Sequence, residues 1–75
     1  MHTSDPFRYE LTETGPVRID LYDLLGRRVQ TLLDGERPAG RHERAIDASS
    51  LPSGVYFYRL TAGDQVRTQR LVVQR

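Results

Sequence analysis

Turn residues recur so often along this chain that most of the intervals between them are the length of a single β-strand. Thr14-Gly15-Pro16, Leu25-Gly26, Asp34-Gly35, Pro38-Ala39-Gly40, Leu51-Pro52-Ser53-Gly54 and Gly63-Asp64 punctuate the sequence, and glycine and proline are the strongest local breakers of regular structure. The clearest strand runs from Val17 to Tyr22. Val17, Ile19 and Leu21 share one face, and Arg18, Asp20 and Tyr22 the other, the alternation of a half-buried strand. Val55 to Leu60 is rich in β-branched and aromatic residues, with Val55 and Phe57 opposite Tyr56, Tyr58 and Leu60. Gly63-Asp64 is a two-residue connection whose glycine supplies the positive φ of a primed hairpin turn. The chain then returns through Val66 to Val73. Phe7 to Leu11 and Arg41 to Asp47 are weaker strand candidates. The expected class is all-β, with Gly26, Gly54 and Gly63 as turn glycines. Its expected core is Val17, Ile19, Leu21, Val55, Phe57 and either Leu71 or Val72.

One segment reads two ways. Leu21, Leu24, Leu25, Val29, Leu32 and Leu33 fall at helical spacing. A helix from Leu21 to Leu33 would place Gly26 in its interior, at a cost of about 1 kcal/mol, and would break the alternation begun at Val17. The alternative is a hairpin, with Asp23-Leu24-Leu25-Gly26 as a type I turn and Gly26 in the left-handed position. Local physics favours the hairpin by a small margin.

A chain of 75 residues makes one small domain, burying about 60–65% of the surface its unfolded form exposes. It has no cysteine, so disulfides and thiolate zinc sites are excluded. The formal charge is +1, and every basic residue is arginine. Acidic and basic residues alternate, as in Arg18/Asp20 and Glu43/Arg44/Asp47, without the basic stripe of a nucleic-acid binder. No stretch approaches the roughly 18–20 apolar residues of a membrane helix, so neither nucleic acid nor membrane insertion is expected. Met1-His2-Thr3-Ser4 lacks the regions of a secretory signal. Residues 1–6 are read as added or linking residues and residues 7–75 as one domain.

Residues capable of chemistry do not converge. His2 and His42 are far apart in sequence, and a metal site needs about three or four ligands together. Ser53 lies in Pro52-Ser53-Gly54, which lacks the strand–turn–helix setting of a nucleophilic serine. Asp20 and Asp23 are the closest acidic pair and read as solvated. Tyr22, Tyr56 and Tyr58 form either a sugar-binding platform or part of a second sheet's inner face. Arg27-Arg28 is a soluble hairpin tip or a contact for an acidic partner. No catalytic residue, cofactor or metal is expected.

Four stretches in order then resemble one family. Val17-Arg18-Ile19-Asp20-Leu21-Tyr22-Asp23-Leu24-Leu25-Gly26-Arg27-Arg28-Val29 is similar to its V-x-L-x-V-Y-D-x-L-G-R-x-V segment. Asp34-Gly35-Glu36 with Ala39-Gly40-Arg41-His42 resembles its G-x-x-x-A-G-x-H stretch. Asp47 to Leu60, reading DASSLPSGVYFYRL, follows its D-A-S-x-L-P-S-G-V-Y-F-Y-R-L segment almost throughout. Arg70-Leu71-Val72-Val73-Gln74-Arg75 resembles its basic–apolar–basic ending. The family is the type A C-terminal sorting domain of the type IX secretion system, and the resemblance covers about Phe7 to Arg75. Two departures stand out. Asp5-Pro6-Phe7 runs straight into Arg8-Tyr9-Glu10-Leu11 where the family has N-P-F-N-P. Arg44 also occupies a place the family tends to keep apolar, so it must pair or reach water.

The resemblance implies a small immunoglobulin-like antiparallel β-sandwich of about six to seven strands, and it decides for the hairpin. It implies a non-catalytic signal that ends a larger exported protein, with an N-terminal cargo domain absent from this sequence. The implied partners are the outer-membrane translocon and a surface sortase-like peptidase. The implied destination is the cell surface or extracellular space, by way of the periplasm. Arg70, Leu71, Val72, Val73 and Arg75 are the candidate recognition residues. The alternative is a carbohydrate- or cell-wall-binding adhesion module using the tyrosines.

Overall fold

The structure, a computed structural model, describes residues 7–45 and 49–74. Its strands are β1 (Phe7–Leu11), β2 (Gly15–Asp23), β3 (Arg28–Arg37), β4 (Gly40–Arg44), β5 (Gly54–Ala62) and β6 (Gln65–Val73). They form two antiparallel sheets, one of β1 and β4, the other in the order β3-β2-β5-β6. This is the expected all-β sandwich. Residues 1–6, read as linking residues, lie outside the described residues, as do Arg75 and the end proposed for the fourth strand, Ile46 and Asp47.

Periodicity explains most of the core. Val17, Ile19 and Leu21 turn inward from β2, and Phe7, Tyr9 and Leu11 from β1, with every second residue facing out. Phe7 joins the two sheets. Its ring meets Tyr58 edge-on with centroids 4.6 Å apart and stacks on Tyr9 at 5.7 Å.

The expected face of β5 is inverted. Tyr56, Tyr58 and Leu60 are buried, while Val55 and Phe57 lie on the outer face, half-buried. Pairing with β2 dictates this, because Ile19 stands opposite Leu60 and Leu21 opposite Tyr58, and directly opposed residues share a face. The buried tyrosines remain hydrogen-bonded, the hydroxyl of Tyr56 donating to the Pro52 carbonyl and that of Tyr58 to Gln69 Oε1. On β6 the buried residues are Leu71 and Val73, whereas Val72 faces outward.

The segment from Leu21 to Leu33 is a hairpin. Its helical spacing has another cause: β3 is out of step with β2 twice. Ile19 pairs with Leu33 but Asp20 pairs with Thr31, which leaves Leu32 as an extra residue; Leu21 pairs with Gln30 and Tyr22 with Arg28, which leaves Val29. The first irregularity lets the adjacent Leu32 and Leu33 both enter the core, which a regular strand forbids. Leu24 and Leu25 are exposed at the tip. Asp34-Gly35, expected as a turn, instead lies within β3, opposite Arg18 and Val17. The reversal comes after it, where Gly40 takes φ 126° and pairs with Leu11.

Arg44 is accounted for by the same bulge. Its Nη2 crosses from the small sheet and donates to the carbonyl of Leu32, the extra residue that the bulge takes out of the ladder.

Candidate functional site

The candidate recognition strand, β6, is last in the order of its sheet. One side pairs with β5 in an unbroken register from Gly54↔Val73 to Ala62↔Gln65. The other side carries no strand among the described residues. Leu71 and Val73 point into the core, Arg70 and Val72 out to solvent. Across the outer face Arg70 stands opposite Phe57, which stands opposite Tyr22, and Val72 opposite Val55. The Arg59 guanidinium lies 4.9 Å from the centre of the Tyr22 ring. The strand end is thus anchored through one face while its edge, an arginine and an apolar strip stay accessible. Arg75 lies outside the described residues.

The three glycines singled out as turn residues are placed differently. Gly26 has φ 83° and Gly63 φ 59°, left-handed conformations that glycine adopts without a Cβ penalty. Gly54 is not in a turn: it opens β5, paired with Val73.

The β2–β3 tip is built around Asp23. Its Oδ1 accepts from the backbone amides of Leu25 and Arg27, and its Oδ2 from Arg27 Nε, at 2.9–3.0 Å. The Gly26 amide donates to the Asp23 carbonyl and the Asp23 amide to that of Arg27. The Arg27 amide, most of all, holds the Asp23 carboxyl below the usual carboxylate range.

The acidic pair is therefore not solvated as expected. Asp23 is consumed by its turn, and Asp20 is buried on the outer face of β2. Asp20 accepts from Arg18 Nε and from the Thr31 hydroxyl, both at 2.9 Å. Thr31 is its register partner on β3, which is why the bulge at Leu32 and the burial of Asp20 occur together. Asp20 in turn raises the pKa of Arg18, first through that hydrogen bond.

The remaining chemistry-bearing residues lie apart from one another in the sequence. His42 stacks on Tyr9 with ring centroids 5.2 Å apart, and its Nε2 donates to the Pro38 carbonyl at 2.7 Å. Ser53 is exposed just before β5. Among the described residues no group of three His, Asp or Glu side chains is placed to hold a metal ion. The tyrosine platform does not exist as a surface, because Tyr56 and Tyr58 are buried and Tyr22 lies on the opposite face. Sequence reasoning missed the two bulges and the role of Asp23. The signal for the latter was present: an aspartate three residues before a glycine can accept from the amides of the turn it opens.

The described residues thus form a six-stranded sandwich in which β6, an edge strand of the larger sheet, is anchored through one face and open along one side. The sequence model of a family described as the secretion system C-terminal sorting domain matches residues 3–74. The chain belongs to this family. No curated protein and no solved structure matches it. As a type IX sorting domain it is the part of an exported protein that serves as its sorting signal, and it implies export to the cell surface or extracellular space. In a sorting domain, β6 carries the residues at the C-terminal end of the match.

Proposed function

We propose that this sorting domain is read by the outer-membrane translocon at the end of β6, takes no part in chemistry itself, and is then cut from its N-terminal cargo by a surface sortase-like peptidase. The observation that carries the reading is the division of labour within β6. Leu71 and Val73 hold the strand in the core, while Arg70, Val72 and the unpaired edge meet solvent. A partner strand added to that edge gains backbone hydrogen bonds with little demand on sequence. Arg70 and Arg75 suit bidentate contact with carboxylates beside it.

The test fuses the chain behind a reporter in a host with type IX secretion and replaces Arg70 and Arg75 with glutamine. Lost export with unchanged melting supports recognition at this end. Full export with unchanged melting makes both arginines ordinary surface residues and sinks the reading. For the non-catalytic part, purified protein should turn over no glycoside, ester or peptide, and alanine at Ser53, His42 or Asp20 should change no rate.

A further inference from the structure

We infer that the β2–β3 tip is a second docking point, in which Leu24 and Leu25 enter an apolar pocket with a carboxylate rim on a protein partner. The inference rests on the sorting reading but concerns the hairpin at the other edge of the sheet, whose tip lies at the same end as Leu71, since Asp23 pairs with Tyr56 and Tyr56 with Leu71. Leu24 is 67% and Leu25 76% exposed, the two most exposed large apolar residues among those described. Neither side chain belongs to the core formed by the described residues. The turn is specified by Asp23, Gly26 and Arg27, and its two central positions accept almost any residue. A tip built only for solubility would carry polar residues there.

The tip is also held rigid. Five hydrogen bonds tie Asp23, Leu25, Gly26 and Arg27 to one another, so little ordering remains to be done on binding, and preorganisation of this kind favours affinity. An aliphatic side chain seated in a desolvated pocket can serve as the central anchor of a contact.

Charge decides the occupant. Arg27 is neutralised by Asp23, whereas the adjacent Arg28 is exposed and has no ion-pair partner among the described residues. One free cation and two leucines fit a single pocket with a carboxylate at its rim. They suit a lipid surface poorly: a whole myristoyl chain gives only marginal membrane binding, two leucines bury less, and a fluid bilayer gains nothing from a rigid tip.

The experiment uses the full chain fused behind a reporter in type IX-competent cells. The double variant Leu24→Ser/Leu25→Ser should melt like the parent and lose export by roughly tenfold or more, as removal of a central anchor does. Leu24→Met/Leu25→Met, which keeps the apolar area, should retain export. p-Benzoylphenylalanine at position 25 should photocrosslink to a protein during export, and at exposed Thr61 should not. The purified chain should not co-float with vesicles of phosphatidylethanolamine and phosphatidylglycerol. Export of the serine variant at the parental level overturns the inference while leaving the sorting reading intact. Failure of the parent fusion to be exported overturns both. Leucine-dependent flotation with the vesicles, or loss of export in the methionine variant, overturns the assignment of a protein pocket.

Discussion

The four-stranded sheet has two edges, and the chain treats them differently. At one edge β3 is irregular at two places, and Arg44 from the other sheet occupies the carbonyl of its extra residue. Bulges twist an edge away from further pairing. At the other edge β6 runs nine residues in continuous register with β5 and without a bulge, and no strand among the described residues covers its free side. Its protection among the described residues is charge: Arg67 and Arg70 sit along it, and a second copy pairing there would bring like charges together. An edge that repels itself but leaves its backbone groups open discriminates against copies of the same chain. One edge is closed by geometry, the other left selectively open.

The largest expected effect tests whether the bulged edge is part of the core. Leu32→Ala should cost about 2–4 kcal/mol, as truncation of a buried leucine does. Leu71→Ala at the open edge should fall near the bottom of that range, about 2 kcal/mol, and its neighbour Val72→Ala under about 0.5 kcal/mol. Urea denaturation of the three variants checks this. Equal losses at Leu71 and Val72 would mean that β6 is not anchored through one face.

Next come the hairpin turns that lead to each edge. Gly26→Val and Gly63→Val should each cost about 1–3 kcal/mol, because a β-branched residue is strained at their positive φ. Thermal melts equal to the parent would show that the turns relax around the new side chain.

Smaller still is the bolt across the sandwich. Arg44→Leu removes the donor to the Leu32 carbonyl and should cost about 1 kcal/mol. It should also raise hydrogen exchange at the amides of β3 around Thr31 more than at β6. Uniform change across both edges would break the claim that Arg44 serves the bulge.

The smallest effect is an acid dependence at the tip before β3. The folded pKa of Asp23 is lowered, so its contribution is fully present above the ordinary aspartate value, about 3.9, and is lost as pH falls through the lowered folded value. Asp23→Asn should therefore flatten the fall in melting temperature below about pH 4. An unchanged acid profile would separate the turn from that carboxylate.

The sequence announced β2, β5, β6 and the two left-handed glycines because each rests on local chemistry: alternation between turn residues. It misassigned β5 because Val55 and Phe57 are more apolar than Tyr56 and Tyr58, and only the register with Ile19 and Leu21 selects the face. The bulges were not legible for a related reason. Two adjacent buried leucines look the same on a helix and at a bulge, and the choice is made by β2, which lies outside the segment. Of the candidate site, the basic–apolar–basic run was visible in the residues. That β6 would stand at an open edge was not, since strand order is a property of the whole sheet.

Phe7 has a consequence in mechanics. As the first residue of β1 it pairs with Arg44 and is only 2% exposed, its ring wedged against Tyr58 of the other sheet. A pull on residues upstream, where a cargo would be attached, loads β1 from its first pair, the geometry in which strands peel apart one pair at a time. Here peeling cannot start at a frayed end, because the first step must extract a buried aromatic ring from between two sheets. The point of load and a buried ring contact between the sheets coincide, and resistance to force is set by the rate of that opening.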